Sequence, residues 1–268
     1  MVSIVPSPAS HHRTVSTVRR HSVRSATVLT VDEHSSAGSS VGDLTEAAGC
    51  VRPADGFDLD VTQTDLAAPT RLDAASLDLL FAGARTTNTF TPEPVDPDVV
   101  HRAYDQLRWA PTSMNIQPLR LTALVSRAAR ESVVAHLGPR NQAKTLAAPL
   151  SVVAAYDPAF HTHLDVLAPH REGLREQLEG QPERRDAMAR TNALIQLGYL
   201  IVALRAEGLQ VGPIGGLDPL GVDAAVHAEN GWRTLAVLNL GHAPDPADPT
   251  AQRPRAGRLE AAQAVLTR

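Results

Sequence analysis

One stretch of the sequence restricts the fold more than any other, because it predicts a helix that is apolar on nearly every side. The helix opens at Pro182 and ends at Gly208, and residues 194–204 are apolar almost without interruption. A helix on the surface of a globular domain has a polar face, whereas this one has to be covered all round. It therefore lies between two layers of one chain or between two subunits. Asn192 and Gln196, which are polar, lie one turn apart on it.

The remaining elements mix helices with strands. Apolar spacing predicts helices over 72–83 and 97–109 (with Asp96 as N-cap and Pro97 as N1), and from Ser126 to near Leu137. Short apolar runs predict strands at 119–125, 150–156 and 235–240, and the Gly- and Pro-rich residues 211–218 predict a loop. Aromatic residues make up only 3% of the chain, so the core has to be built from Ala, Val and Leu. Without a strict strand–helix–strand repeat, the order favours an α+β fold over a doubly wound sheet.

The first 69 residues differ from the rest, and we expect them to be a disordered or non-native extension of a domain formed by 70–268. The first acidic residue is Asp32, the start is rich in Ser, Val, His and Arg, and no periodicity is sustained. The basic start superficially resembles a transit peptide, but the Ala-, Arg- and Val-rich body resembles a high-GC bacterial protein, and the apolar core of a secretory signal is missing. A start assigned too far upstream, with the natural protein beginning near Val61, is a third alternative. Deletion of residues 1–65 is expected to leave folding intact.

Composition excludes several functions. A formal net charge of −4 and a pI near 6.2 give no electrostatic basis for binding nucleic acid. The single cysteine, Cys50, excludes an internal disulfide and an all-cysteine metal site, and suits the reducing cytoplasm. No apolar run is expected to reach the length of a membrane span. His161 and His163, near Asp165, are expected to be solvated rather than to bind a metal.

The most informative polar stretch is residues 110–120, APTSMNIQPLR. Its two prolines fix φ and remove backbone donors, so it is irregular backbone between a helix and a strand. Ser113, Asn115 and Gln117 alternate, and in extended backbone their side chains would share one side. They would then offer hydroxyl and amide groups to a flat polar ring. A surface turn is the alternative interpretation.

This stretch resembles the loop that follows the second helix in the FMN-dependent nitroreductase family, and other family motifs occur in order. The segment 85–90, RTTNTF, resembles Arg-Ser-x-Arg-x-Phe, with the Asn88 form of the malonic semialdehyde reductase-like branch. Residues 141–144, NQAK, resemble Asn-x-x-Lys at a helix start. Residues 212–218, GPIGGLD, resemble Gly-Pro-Met-x-Gly-Phe-Asp, and 253–259, RPRAGRL, resemble the C-terminal basic pair.

The resemblance implies a set of residues that bind FMN, while no side chain need be catalytic. Arg85, Arg255 and Arg258 would bind the phosphate, Asn141 and Lys144 would approach the pyrimidine edge and ribityl chain, and a glycine N–H would point at N5. Many members carry Glu where Gly215 stands here. The implied set is Arg85, Thr86, Asn88, Pro111, Thr112, Ser113, Asn115, Gln117, Asn141, Lys144, Pro213, Ile214, Gly215, Gly216, Arg255 and Arg258.

The resemblance also implies an architecture and a reaction. The fold would be α+β, with a central, mostly antiparallel sheet flanked by helices, built as an intertwined homodimer with two flavins at its interface. NADPH or NADH would reduce FMN in a ping-pong reaction, and hydride would pass to a 3-oxo acid or aldehyde, a nitroaromatic, a quinone or an enone. Apart from the resemblance, we hypothesise that the polar residues 161–185 form a lid and specificity element. A flavin-dependent oxidase or dehydrogenase of a biosynthetic intermediate and a non-catalytic flavin-binding module remain the alternatives.

Overall fold

The computed structural model describes residues 70–244 and 255–268, so the predicted extension 1–69 lies outside the described residues. Four strands form one antiparallel sheet: β1 (Leu119–Leu124), β2 (Leu150–Tyr156), β3 (Gln210–Ile214) and β4 (Arg233–Gly241). Their order is β1-β2-β4-β3, and every residue of the central β2 is buried. The α+β class and the antiparallel sheet are therefore confirmed, as are the strands expected at 119–125, 150–156 and 235–240.

The loop predicted at 211–218 was wrong in its first half, because this stretch contains β3. Pro213 lies inside the strand and pairs with Leu238, which is tolerated since β3 is at the sheet edge and a missing N–H costs little there. Beyond the strand, the Asp218 carboxylate caps a helix that the sequence had not indicated, α8 (Pro219–Val226). Edge position, which the sequence does not reveal, is what allows Gly and Pro in this strand.

One face of the sheet packs against two long helices, α2 (Val99–Leu107) and α7 (Pro182–Ala206). Both helices were predicted. The predicted N-cap was wrong, because α2 begins two residues later, with Asp98 rather than Asp96 as its N-cap. The Asp96 carboxylate instead accepts the Asp98 N–H at 3.0 Å in the turn that precedes the helix. The core on this face is mostly aliphatic, as the scarcity of aromatic residues predicts, with Phe160 and Tyr156 as its buried aromatic residues, and it includes Leu107, Leu119, Leu150, Leu200, Leu204, Leu238 and Leu240.

The other face packs against α8 and two further helices, α3 (Arg127–Val134) and α4 (Pro139–Ala147). The predicted cap of α3 is confirmed, since Ser126 Oγ accepts the Ala129 N–H at 3.0 Å. A buried polar chain ties α4 to the sheet. Ser151 donates to Asn239 at 2.9 Å, and Asn239 donates to Thr145 of α4 at 3.1 Å.

The shorter helices lie at the periphery. The first, α1 (Ala74–Leu77), continues into a π-helical turn at Asp78–Ala82, as the pattern at 72–83 predicted, and α9 (Ala261–Ala264) lies near the C-terminus. Between β2 and α7, the chain forms a 3-10 turn (Phe160–His163), α5 (Leu164–Leu167) and α6 (Leu174–Glu179).

The helix α7 departs from two expectations. Its 25 residues are long and apolar enough, by length and composition, to cross a membrane, although no such run was expected. It packs against β1, β2, β3 and α2, however, as the core helix of a globular domain does. Within the part of the chain that the structure describes, it is also covered on one side only, because Leu194, Ile195 and Tyr199 are 43%, 43% and 47% exposed. Burial between two layers of one chain is therefore not what the fold provides.

Candidate functional site

Several of the predicted residues meet at the outer edge of β3. Thr86 bridges to Val211, and the Thr87 N–H donates to the Val211 carbonyl at 3.2 Å, so the segment that contains Arg85 runs alongside the strand. Contact this close requires a glycine in β3. A Cβ on Gly212 would lie 2.3 Å from the Thr87 carbonyl oxygen.

Lys144 reaches this segment from α4. Its ammonium donates to Asn88 Oδ1 at 2.8 Å, and both side chains are half-buried. Lys144 is the only lysine in the sequence. Its partner is a neutral amide, and no carboxylate of the described residues lies within 4.0 Å of it. The ammonium charge is therefore not neutralised there.

The C-terminal segment adds a further cation. The Arg255 guanidinium donates to the Ala84 carbonyl at 3.3 Å, next to Arg85. Arg258 is exposed, and its guanidinium donates to the carbonyls of Ala256 and Gly257 within its own turn. We call the group formed by Arg85, Asn88, Lys144 and Arg255 the basic corner. Its cations and amide suit a phosphate dianion, which binds best to charged donors.

The loop that follows β3 and contains Gly215 and Gly216, which we call the glycine loop, adjoins the start of α4. The Gly138 N–H donates to the Gly216 carbonyl at 2.9 Å, and a Cβ on Gly216 would lie 3.5 Å from Asn141 Nδ2. A Cβ on Gly215 would meet no protein atom within 4 Å, so no packing within the described chain requires glycine there. Backbone free of side chain lets a flat ring approach its N–H groups.

Two predicted contacts in this region are different from what the resemblance implied. The Ile214 side chain is buried in the core with Val237, so it cannot contact a ligand through its side chain. Pro213 is exposed on the strand edge. Both assignments assumed a loop, whereas strand geometry alternates the two side chains between the core and the surface.

The polar loop, Pro111–Gln117, has a conformation that was not expected. Extended backbone was wrong: Ser113–Asn115 form a 3-10 turn, and Met114, Asn115 and Gln117 have φ values of 54°, 56° and 38°. Left-handed backbone costs about 1–2 kcal/mol per residue outside glycine. Only Asn115 is a residue type that tolerates it well, so the residue types of this stretch do not predict the turn.

Hydrogen bonds hold the polar loop in this shape. Gln117 Nε2 donates to Asn115 Oδ1 at 2.7 Å, and the Gln117 N–H donates to Thr112 Oγ1 at 3.3 Å. Asn115 Nδ2 donates to the Leu167 carbonyl at 2.9 Å, which ties the loop to α5. The predicted convergence of Asn115 and Gln117 is thus found, but it comes from the turn rather than from alternation.

Cavities lie on both sides of the polar loop. One, of about 500 Å³, is lined by the loop together with Trp109, Arg108 and Val166. Trp109 is 79% exposed and lies under the Arg108 guanidinium, 5.3 Å from the ring centroid. A second, of about 600 Å³, is a groove beside β1 that includes Arg120, whose guanidinium pairs with Asp157 at 2.8 Å.

The two groups of predicted residues do not meet within one chain. The polar loop precedes β1 at Pro118, and Leu124 is six residues further along, about 20 Å at 3.3 Å per residue. Through the strand register, Leu124 is level with Gly212, which lies three strand spacings away, or about 14 Å, and the segment that contains Thr87 lies beyond Gly212 on the outer side of β3. The polar loop and the basic corner therefore lie at diagonally opposite ends of the sheet.

The segment between β2 and α7 forms its own cluster. The expectation that His161 would be solvated was wrong, since its side chain is 3% exposed and bonds to Glu179, beside the Arg185 guanidinium. This bond lowers the pKa of the Glu179 carboxyl. His163 is exposed, 3.8 Å from Asp157, and the described residues contain no group of three His, Cys, Asp or Glu side chains placed to hold a metal.

Comparison with known proteins agrees with this architecture. A relative from Leptothrix cholodnii, named "Putative NADH dehydrogenase/NAD(P)H nitroreductase", is 42% identical over 189 residues, which cover 70% of this chain and 94% of its own. A Streptomyces coelicolor relative of the same name is 38% identical over 181 residues, covering 68% and 88%. A crystal structure from Exiguobacterium sibiricum, titled as a putative nitroreductase in complex with FMN, superposes with a TM-score of 0.60 at 16% identity. It covers 75% of this chain and all of that one.

The model of the nitroreductase family matches residues 82–242, which begin just before Arg85 and end just after β4. That span includes the polar loop, Lys144 and the glycine loop, and it leaves the C-terminal basic pair outside. Because this match covers more than half of the chain and the Leptothrix cholodnii relative is 42% identical in sequence, the chain belongs to the nitroreductase family.

Proposed function

We propose that this protein is an FMN-dependent NAD(P)H oxidoreductase whose flavin lies between the basic corner of one protomer and the polar loop of a second. The observation that carries this proposal is the separation of the two groups within one chain. Each group has polar atoms suited to FMN, yet side chains at opposite ends of the sheet cannot surround one ring. A homodimer brings one group from each protomer together, and symmetry then gives two equivalent sites.

The exposed side of α7 supports the dimer. Leu194, Ile195 and Tyr199 form an apolar face that one chain leaves uncovered, and such faces on soluble proteins mark interaction sites. The edge strand β1 has a groove beside it, and natural proteins usually cover a strand edge. Both features agree with an intertwined homodimer that covers α7 and β1.

Each group has a distinct role toward the cofactor. Arg85 and Arg255 supply positive charge for the phosphate, while Lys144, Asn141 and the N–H groups of Gly215 and Gly216 line one edge of the ring site and the ribityl chain. The polar loop presents the Thr112, Asn115 and Gln117 side chains on the other side. Bound FMN supplies hydride transfer at N5, accepting from NAD(P)H and donating to the second substrate in turn. The residues of this chain orient the ring and its substrates and exclude water.

The acceptor is a small electrophile. We include 3-oxo acids and aldehydes such as malonic semialdehyde, nitroaromatics, quinones and enones. The names of the relatives favour a nitroaromatic. Trp109 and Val166, exposed beside the polar loop, would contact a planar acceptor, and α5 with α6 would close over it as a lid.

The visible absorption spectrum of the purified protein tests this proposal, recorded before and after anaerobic addition of NADPH. We expect a flavin band that bleaches, and steady NADPH consumption once an acceptor is added. A flavin band that NADPH leaves unchanged would favour an oxidase, which a substrate test without oxygen identifies, or a non-catalytic flavin-binding module. A colourless protein that also takes up no added FMN would contradict the proposal.

A further inference from the structure

Two amide side chains of α7 face the polar loop. Asn192 Oδ1 accepts the Ser113 N–H at 2.7 Å, and Gln196 Oε1 accepts the Leu119 N–H at 3.0 Å. The two residues are one turn apart and are 5% and 1% exposed. They therefore hold the backbone at both ends of the strained turn, one at its start and the other where the chain enters β1.

Their chemistry is unusual for their position. They lie on the core side of a helix whose neighbouring residues are apolar, and a buried amide is unfavourable there unless it is hydrogen-bonded. Asn192 Nδ2 donates to the Met188 carbonyl at 2.9 Å, which orients its oxygen toward Ser113. Gln196 Nε2 has no partner among the described residues, so its bond to Leu119 is the one polar contact that accounts for a glutamine at this site.

The turn needs such anchors. Met114, Asn115 and Gln117 all have left-handed backbone without being glycine, and strained backbone persists only where its surroundings hold it. Other hydrogen bonds join the loop residues to each other, to Leu167 and to Arg120, whose guanidinium donates to the Gln117 carbonyl at 2.9 Å. Among the described residues, Asn192 is the one side chain of α7 that is hydrogen-bonded to the loop backbone, and Gln196 holds the first residue of β1 just after the loop.

We propose that Asn192 and Gln196 are positioning residues that preorganise the polar loop for the flavin. This inference rests on the proposed function, because the loop is one wall of the proposed site. A loop that is already ordered loses less freedom when it binds a ligand, so anchors that touch no ligand still raise affinity. Loss of the anchors should loosen the loop before FMN is added and weaken FMN binding afterwards.

The test compares three variants. Asn192→Leu and Gln196→Met remove the acceptor. Leucine keeps the number and branching of the side-chain heavy atoms of Asn192, and methionine keeps the side-chain length of Gln196. Leu200→Ala, a fully buried residue of the same helix that makes no hydrogen bond to the loop, is the control for general destabilisation. For each protein, hydrogen–deuterium exchange of the FMN-free form is measured over residues 110–120, together with the melting temperature. FMN dissociation constants and the visible circular dichroism of bound FMN are then compared.

We expect Asn192→Leu and Gln196→Met to speed exchange over 110–120, raise the FMN dissociation constant at least tenfold and change the dichroism of bound FMN. Leu200→Ala should lower the melting temperature with little change in these three. Unchanged exchange in both amide variants would overturn the anchoring, and faster exchange with unchanged FMN affinity and dichroism would overturn the positioning role. If either amide variant fails to fold, the other decides. If the unaltered protein takes up no FMN, the proposed function itself fails, while exchange still reports on the anchors.

Discussion

Lys144 and Asn88 are 56 residues apart in sequence, and the lysine ammonium donates to the asparagine amide oxygen at 2.8 Å. The contact joins α4 to the segment beside β3, and it leaves the charge of the lysine free of any carboxylate in the described chain. A cation held this way is suited to an anionic or carbonyl-rich ligand.

Replacement of Lys144 by Met should raise the FMN dissociation constant about 10- to 100-fold, the usual effect of losing a hydrogen bond from a charged donor. The melting temperature of the FMN-free protein should hardly change, because the lost bond has a neutral, half-buried partner. Fluorescence titration of FMN measures the first quantity. Gln142→Ala is the control for damage to α4, because Gln142 lies on the same helix between Asn141 and Lys144 and is not one of the predicted site residues.

Because Lys144 is the only lysine in the sequence, its place in the site can also be tested without a mutation. An amine-specific acylating reagent should add one group beyond the N-terminal amine, and FMN should slow that addition. The adduct count comes from intact-mass spectrometry. Equal rates with and without FMN would argue against a place for Lys144 in the site.

Arg255 and Arg258 were predicted together, but the structure distinguishes them. Arg255 contacts the Ala84 carbonyl in the basic corner, whereas Arg258 contacts only carbonyls of its own turn. Arg255→Ala should therefore weaken FMN binding about tenfold, because it removes one charged contact to the phosphate. Arg258→Ala should weaken it less than threefold, because a solvated side chain contributes little. Equal losses in the two titrations would mean that Arg258 moves into the corner when FMN binds.

Gly212 and Gly215 give a matched pair of substitutions. A Cβ at Gly212 would overlap the Thr87 carbonyl, so Gly212→Ala should destabilise the fold by about 1–3 kcal/mol, as overpacked sites do. Gly215→Ala meets no protein atom and should leave the unfolding free energy of the FMN-free protein unchanged, but it should weaken FMN binding. Denaturant melts and FMN titrations of both variants separate the packing role from the ligand role.

How far the sequence predicts this structure depends on the range of the interaction. Local chemistry was sufficient for the Ser126 cap of α3 and for β2, whose apolar run is buried along its whole length. The order of the family motifs along the chain was sufficient to select the residues that form the basic corner. In each case the signal lies within a few neighbouring residues or in a short pattern. Such signals can be recognised without knowledge of tertiary contacts.

What the sequence did not reveal depends on contacts between distant segments. Pro213 reads as a loop residue, and only its place at the sheet edge makes it acceptable in β3. The left-handed φ of Met114 and Gln117 is imposed by anchors nearly 80 residues away, such as the Asn192 bond to Ser113. The separation of the polar loop from the basic corner likewise follows from strand order, which no local pattern specifies.

His227 should make stability depend on pH. Its side chain is fully buried, its Nε2 lies 3.1 Å from Thr122 Oγ1, and burial lowers its pKa, while the nearby Asp223 opposes the shift. Because the folded pKa lies below the unfolded value of about 6.5, the unfolded chain binds protons first. The contribution of neutral His227 to the free energy of unfolding should be complete above pH 7. It should be lost as the pH falls through 6.5 toward the lowered pKa. His227→Gln should flatten that part of a melting-temperature profile, whereas substitution of the exposed His101 should not.

Ile195 tests the proposed dimer. It is 43% exposed on the apolar face of α7, next to Leu194 and one turn from Tyr199. A carboxylate there would be buried without a partner in the dimer, so Ile195→Asp should yield monomers in sedimentation analysis. If each flavin contacts both protomers, the monomer should also bind FMN at least a hundredfold more weakly. Leu220→Asp, at an exposed position on α8, should remain dimeric and bind FMN normally. A monomeric Ile195→Asp that keeps full FMN affinity would place the whole site within one chain, against the separation of the basic corner from the polar loop.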